Sequence, residues 1–350
     1  MQSFVLYIAR MLGVFALAQY LTRNRLRVLC YHGFSLGDEH EVAPHVFMQR
    51  QTFERRLRIL KKRGLPVIPL QQAVLRLKEG RIRNAETVLT FDDGWASNLT
   101  IGAPLLKSFG YPATIYVTTE HLAAGPEVFN VVLFYMLCRA KARSFTLTGL
   151  HPEIDGSYQI NANPDELRVQ ISCAAQRAFP KLLDRQQLLA PIARALGMDL
   201  RELLSNERFQ LLRAGEIAEL DRRGLDIQLH THTHHLPSES FERMRVEIED
   251  NRRAISELLK KNPHHFCYPS GEYEPQHLDW LRRLGIVSAT TCEPGLNDQS
   301  TDLLQLKRYL DSDTVSDLVF EAEVSGVRYL IQRLLGSLAR KPHRESAHAA

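Results

Sequence analysis

Thr87-Val88-Leu89-Thr90-Phe91-Asp92-Asp93-Gly94 is an apolar, β-branched run that stops abruptly at two carboxylates and a glycine. A second run, Leu225-Asp226-Ile227-Gln228-Leu229, stops at His230-Thr231-His232-Thr233-His234-His235. Short apolar runs bounded by turn residues are the pattern of strands buried on both faces of a parallel sheet. Polar clusters at the carboxyl ends of such strands are where barrel-type α/β proteins keep their chemistry.

Working outward, apolar runs recur near residues 27–31, 113–117, 265–268, 286–290 and 304–309, with helical stretches such as 53–63 and 241–260 between several of them. That alternation predicts an α/β fold with a mostly parallel sheet or (β/α) barrel. The 350 residues, 44% hydrophobic, exceed the roughly 250 that one α/β barrel needs. The chain is expected to divide into an N-terminal apolar, amphipathic helix (1–24), one central domain (25–325) with an insertion at about 121–215, and a basic C-terminal helix with a disordered tail (326–350). The interval 121–215 is too long for a simple crossover. Glu166–Gly197 reads as helices and Ser144–Ile160 as a short hairpin or loop, an insertion over a groove for which substrate selection and packing are equally consistent roles. No fixed-period repeat is present.

Adjacent carboxylates at a strand end repel unless a cation or a buried proton relieves them. Asp92 and Asp93 can serve one site only if the chain turns there, which Gly94 permits; an Asp-Asp-Gly surface turn is the simpler reading of the same residues. His230 and His234, four apart, can share a face of a helical turn or an irregular loop, and two imidazole nitrogens with one carboxylate suit zinc or a similar divalent ion. Solvated histidine loops have the same composition. A divalent ion held by one of the two carboxylates with His230 and His234 would acidify a bound water, and the other carboxylate could take its proton.

These segments together resemble the polysaccharide deacetylases of the NodB-homology (carbohydrate esterase family 4-like) type. Thr90-Phe91-Asp92-Asp93-Gly94 looks like that family's first motif, and the resemblance implies Asp92 as base and Asp93 as metal ligand. His230-Thr-His-Thr-His234 looks like the second, implying His230 and His234 as the other ligands. Phe266-Cys267-Tyr268-Pro269-Ser270-Gly271 is similar to the segment walling the groove, implying an oxyanion-holding backbone N–H near Ser270 and Gly271. Val28-Leu29-Cys30-Tyr31-His32 and Ala289-Thr290-Thr291-Cys292-Glu293-Pro294-Gly295 extend the likeness over about residues 26–310.

Two departures stand out. The arginine that tethers the base in many members is replaced by Cys267, and no late Leu-x-His follows, since after His277 only His343 and His348 occur. His32 is the expected general acid, as the resemblance implies for members that open with a Tyr-His strand; a hydrogen-bonded strand-end histidine is the other reading. Arg308 is a candidate substitute tether, by charge alone. Trp95 and Tyr273 are candidate sugar-stacking faces, with core packing equally open for Trp95. A helical turn would point His232 away, His235 would line the cleft, and His264 and His265, after Pro263, read as loop.

A net charge of +4 and the absence of a basic groove with interleaved aromatics argue against nucleic acid. Residues 3–22 are apolar but broken by Arg10 and followed by Arg23, Arg25 and Arg27, which favours a helix lying on the cytoplasmic face of a membrane, or docked on the barrel, over a span. Five cysteines without framework spacing point to reduced thiols in a cytoplasm, with a secreted or membrane-anchored protein as the alternative. The expectation is a distorted (β/α) barrel carrying a bacterial, metal-dependent hydrolase (Zn2+, or Co2+ or Ni2+) that removes N-acetyl groups from a polysaccharide or lipid-linked saccharide, as in exopolysaccharide biosynthesis. The alternatives are a deformylase or amidase on another N-acylated substrate, and a disabled carbohydrate-binding protein.

Overall fold

The computed structural model describes residues 2–124 and 127–339. Its strands are β1 (Arg27–Tyr31), β2 (Gly33–Phe34), β3 (Phe47–Met48), β4 (Thr87–Phe91), β5 (Thr114–Val117), β6 (Ser144–Leu147), β7 (Gly156–Gln159), β8 (Asp226–Leu229), β9 (His265–Cys267), β10 (Ser288–Thr290) and β11 (Tyr309–Leu310). Seven form one curled parallel sheet in the order β10-β9-β8-β5-β4-β1-β11. Its two edges are drawn together by a single segment. The Leu306 N–H donates to the Ala289 carbonyl at 2.9 Å and its carbonyl accepts from Thr291, while three residues on β11 pairs with Leu29 and Cys30 of β1. This is the expected distorted (β/α) barrel.

Strand alternation assigns the two faces. Leu29, Leu89, Ile115 and Leu229 pack outward on helices, meeting Phe53, Leu57 and Leu60 of Arg50–Lys62 and Met244, Ile248 and Ile255 of Phe241–Leu259, each set at helical spacing. Val28, Val88, Tyr116, Cys267 and Leu306 form a separate inner cluster. Asp92 continues the inner phase of Val88 and Thr90, and Arg308 that of Leu306. That parity brings these two residues to the same interior.

The expected 304–309 strand is shorter. Asp302 caps a single turn at Leu303–Gln305, accepting from the Leu304 N–H, so the strand proper begins at Tyr309. His265 is no loop residue. It opens β9, fully buried, with its ring nitrogens against Ser288 and Gln71, and burial pushes it down to about 3. His264 is half-buried at the end of that loop, with Nε2 on Gln71.

Between β5 and β8 the chain builds a second core of its own. The helices Phe129–Arg139, Pro164–Ala178 and Leu189–Ala195 and the antiparallel β6–β7 hairpin bury Val132, Met136, Ile154, Ile171 and Ile192 together. Trp95, Phe47 and Phe209 sit at its seam with the sheet. Among the described residues no single helix is long and apolar enough to cross a membrane. The tail expected to be disordered, with His343 and His348, lies outside the described residues from 340 onward.

Candidate functional site

At the carboxyl end of β4 the chain leaves extended geometry at once. Asp93 has φ 71° and Gly94 φ 83°, and the Gly94 N–H turns back to the Asp92 carbonyl. The turn therefore starts at Asp93, one residue before the glycine expected to make it. A Cβ at Gly94 would come 2.9 Å from the Val117 side chain, so the position also needs glycine for space. Thr231, His234 and Ser270 likewise hold left-handed φ of 62°, 60° and 56°. Four non-glycine residues in this region around one cavity mark a place where backbone strain is retained for a site.

Asp92 is buried, and both its oxygens are taken by Arg308, Nη1 at 2.8 Å and Nη2 at 2.9 Å. Arg308 is itself fully buried and is fixed by its Nε bond to the Thr291 carbonyl at 2.8 Å. Burial alone would raise the Asp92 carboxyl, but Arg308 outweighs it, aided by His230 and His32, and holds it well below the usual carboxylate range. The Arg308 guanidinium rests 3.2 Å from the Cys267 sulfur. The short side chain of Cys267 leaves room beside Asp92 that Arg308, from another strand, fills.

Asp93 divides its two oxygens. Oδ2 accepts the Trp95 indole N–H at 3.0 Å, while Oδ1 lies 3.2 Å from His230 Nε2 and 3.3 Å from His234 Nε2. His230 Nδ1 is engaged by the Cys267 carbonyl at 2.9 Å, which leaves Nε2 as the inward atom. A divalent ion 2.0–2.2 Å from ligands at tetrahedral angles sets those ligands about 3.3–3.6 Å apart, so the donor set fits such an ion in chemistry and spacing. Two other groupings, Cys30-His32-Asp92 and Asp92-His230-Cys267, also cluster. Burial pushes both thiols well up, so they remain protonated donors, bonding Asp92 at 3.5 and 3.4 Å, and make poor ligands.

The histidine run is an irregular loop held from behind. Asn251, buried on the apolar stripe of Phe241–Leu259, accepts the His230 N–H and donates to Val117 and Thr119. Glu247, one turn earlier, accepts from the N–H groups of His232 and Thr233. Neither residue carries a signal in the sequence except that each is polar within an amphipathic pattern. His232 does not point away as a helical turn would require. Its Nδ1 bonds Thr119 and its ring lines the cavity, as does His235.

The cavity measures about 670 Å3. His32, Asp92, Asp93, His230, His234 and Ser270 form its floor, and a ring nitrogen of His32 lies within 4.8 Å of an Asp92 oxygen. The roof comes from the inserted helix Pro164–Ala178, whose Arg168, Ser172 and Gln176 share one face, joined by Arg185. Trp95 reaches the cavity but is 2% exposed with its ring edge-on to Phe47, so it positions Asp93 and presents no open stacking face. Gly271 and Tyr273 do not line the cavity. Gly271 is pressed on Cys292, where a Cβ would come to 2.6 Å, and Tyr273 stacks on Tyr268 at 4.7 Å with its hydroxyl on Glu293.

A curled parallel sheet whose strand ends gather a carboxylate and two imidazoles beside a buried, arginine-held carboxylate defines an α/β protein with a candidate metal site at the carboxyl end of its strands. Residues 204–289 match the sequence profile of the polysaccharide deacetylase family, a stretch containing the histidine loop and the Pro269–Gly271 turn but not Asp92 and Asp93. YxkH of Bacillus subtilis (strain 168), provisionally named a polysaccharide deacetylase, is 31% identical over 94 residues, 27% of this chain; the match spans 32% of that relative's length. Among solved structures, the Streptococcus pyogenes deacetylase PplD in complex with acetate superposes with a TM-score of 0.58 at 17% identity, covering 87% of this chain and 99% of that one. IcaB from Ammonifex degensii gives 0.55 at 17% identity, over 86% and 97%. The chain is thus related to the polysaccharide deacetylases by sequence over 204–289 and shares their fold over most of its length.

Proposed function

We propose that the protein is a metal-dependent hydrolase that removes N-acetyl groups from amino sugars of a polysaccharide or lipid-linked saccharide. One observation carries this reading: Asp92 stands beside the Asp93-His230-His234 group without joining it and is held ionised by Arg308. Bound there, a divalent ion, zinc by the donor set, would supply Lewis acidity to the acyl oxygen and to a water.

Asp92 takes the proton of the attacking water as its oxygen bonds to the acyl carbon. His32, close to Asp92, protonates the amine nitrogen as the C–N bond breaks, giving a carboxylate and a free amino sugar. The backbone N–H at Ser270 is assigned to the developing oxyanion. The roof helix faces this floor across the cavity, which favours a substrate longer than one sugar.

The test is acetate release from a panel of N-acetylated oligosaccharides by metal-loaded protein, chelated protein and Asp92→Asn. We expect release that requires the ion and falls about 10²–10⁴-fold in the variant. Formyl release with no acetate release would redirect the reading to another N-acyl substrate. Saccharide binding with no turnover would redirect it to a binding protein.

A further inference from the structure

The two chain ends meet at one place. The helices Gln2–Met11 and Val14–Leu21 bend by 76° at Gly13, and the second packs on Val327–Ala339. Their inward faces are accounted for: Phe15, Ala18, Ala322 and Val327 form a small buried cluster with Leu6, Ala9 and Leu330 against it. A docked amphipathic helix should then turn a polar face to solvent. These do not. Met11 is 70% exposed and Leu12 76%, and Phe4, Ile8, Leu17, Tyr20, Leu21, Ile331 and Leu335 are also exposed. Apolar residues on three neighbouring helices make a face of the kind that soluble monomers rarely leave uncovered.

Charge selects what covers it. Residues 1–37 hold four arginines and no acidic residue, of which Arg10 pairs with Glu321, Arg25 pairs with Asp298 and Arg27 is buried, leaving Arg23 exposed; residues 324–350 hold five basic residues and one acid, so the rest of this +4 chain is net negative. Arg23 lies 4.0 Å over the Tyr20 ring, an arginine and a tyrosine together at the border of the apolar face, where such side chains sit at a membrane–water interface. A second copy would bring like-charged borders together, whereas an anionic lipid surface complements them.

We propose that this three-helix face is a docking surface for an anionic lipid bilayer, with its apolar side chains seated at the acyl boundary and the exposed Arg23 among the headgroups. Arg27, the first residue of β1, bonds the Val324 and Thr22 carbonyls, each at 2.9 Å, which ties the helices to the amino end of the sheet. The cavity opens at the carboxyl end. The bilayer therefore lies beneath the sheet, and the cavity faces away from it. The surface does not depend on the chemistry assigned to the cavity.

The full-length protein would be sedimented with vesicles of phosphatidylcholine mixed with phosphatidylglycerol, and with phosphatidylcholine alone. Partition is expected to be at least about tenfold stronger on the anionic vesicles and to weaken with salt. The variant Met11→Ser/Leu12→Ser/Leu17→Ser, which changes exposed side chains only, should lose about a hundredfold in partition while keeping its thermal midpoint. Failure of the wild type to sediment, equal partition on neutral vesicles, or unchanged partition of the variant would each overturn the proposal. So would a dimer in gel filtration that the variant dissolves, because the face would then be covered by a second copy.

Discussion

Among the described residues two arginine–aspartate pairs are buried, Arg308–Asp92 inside the sheet and Arg56–Asp311 between the sheet and its outer helices, and their carboxyl groups are shifted in opposite directions. Arg308 gives both terminal nitrogens to Asp92, and two histidines face the same group. Arg56 gives Asp311 only its Nε, at 2.8 Å, because its other nitrogens go to Asp317 and the Val315 carbonyl. Burial consequently prevails at Asp311, where Asp313 adds like charge, and pushes it up to about 6. Pairing as such does not set the state of a buried carboxylate; the number of contacts and the remaining charges in view do.

The sharpest way to break the contrast is Arg308→Met, which would make Asp92 a buried carboxylate with a poorer partner set than Asp311 has. Removing one member of such a pair costs about 3–5 kcal/mol of stability. Without the arginine the Asp92 pKa rises, so the acid limb of the kcat/KM profile moves to higher pH, while Arg308→Lys should move it less. An acid limb unchanged in both variants, measured on protein shown to be folded, would remove Arg308 from its positioning role.

Asp311→Asn gives a smaller effect with a definite sign. Because the folded pKa, about 6, lies above the ordinary 3.8, the ionised form is penalised in the folded state. That penalty is in force above about pH 6 and fades as pH falls towards the unfolded value. Relative to Asp311→Asn, the wild type should therefore gain about 1 kcal/mol in urea unfolding between about pH 7.5 and about pH 5. A difference that stays flat over this interval would mean that Arg56 holds Asp311 low, as Arg308 does Asp92.

The same comparison explains what was readable in the sequence. Strands 27–31 and 87–91 are legible because both faces are buried, so they are almost continuously apolar and end at polar stops, while 226–230 shows itself by Ile227 and Leu229 alternating with Asp226 and Gln228 before the histidines. The closing strand is not, because the segment 304–310 touches one sheet edge through Leu306 and the other through Tyr309 and Leu310, and neither contact needs a long run. Arg308 stands out in sequence only as a charge in an apolar run. That it clamps Asp92, 216 residues away, follows from strand parity in the folded sheet. His265 misleads because Pro263 signals a loop that ends one residue before it. Asn251 and Glu247 carry no pattern of their own, since what they satisfy are backbone N–H groups of a distant loop.

A third pair carries the comparison out to solvent. Arg168 Nε lies 2.6 Å from Asp165 on the roof helix, with the aspartate side chain 53% exposed. An ion pair this wet contributes little, roughly 0–1 kcal/mol, and its arginine can exchange partners at small cost. Because Arg168 also lines the cavity, it is placed to leave Asp165 for a hydroxyl or carbonyl oxygen of a bound saccharide. Arg168→Ala should therefore leave the thermal midpoint nearly unchanged and leave kcat intact. It should raise KM for a longer N-acetylated oligosaccharide by about tenfold, the worth of a hydrogen bond from a charged donor. For a single N-acetylated sugar, which reaches the floor but not the roof, KM should not change. Equal effects on both substrates would show that the roof helix acts only by packing.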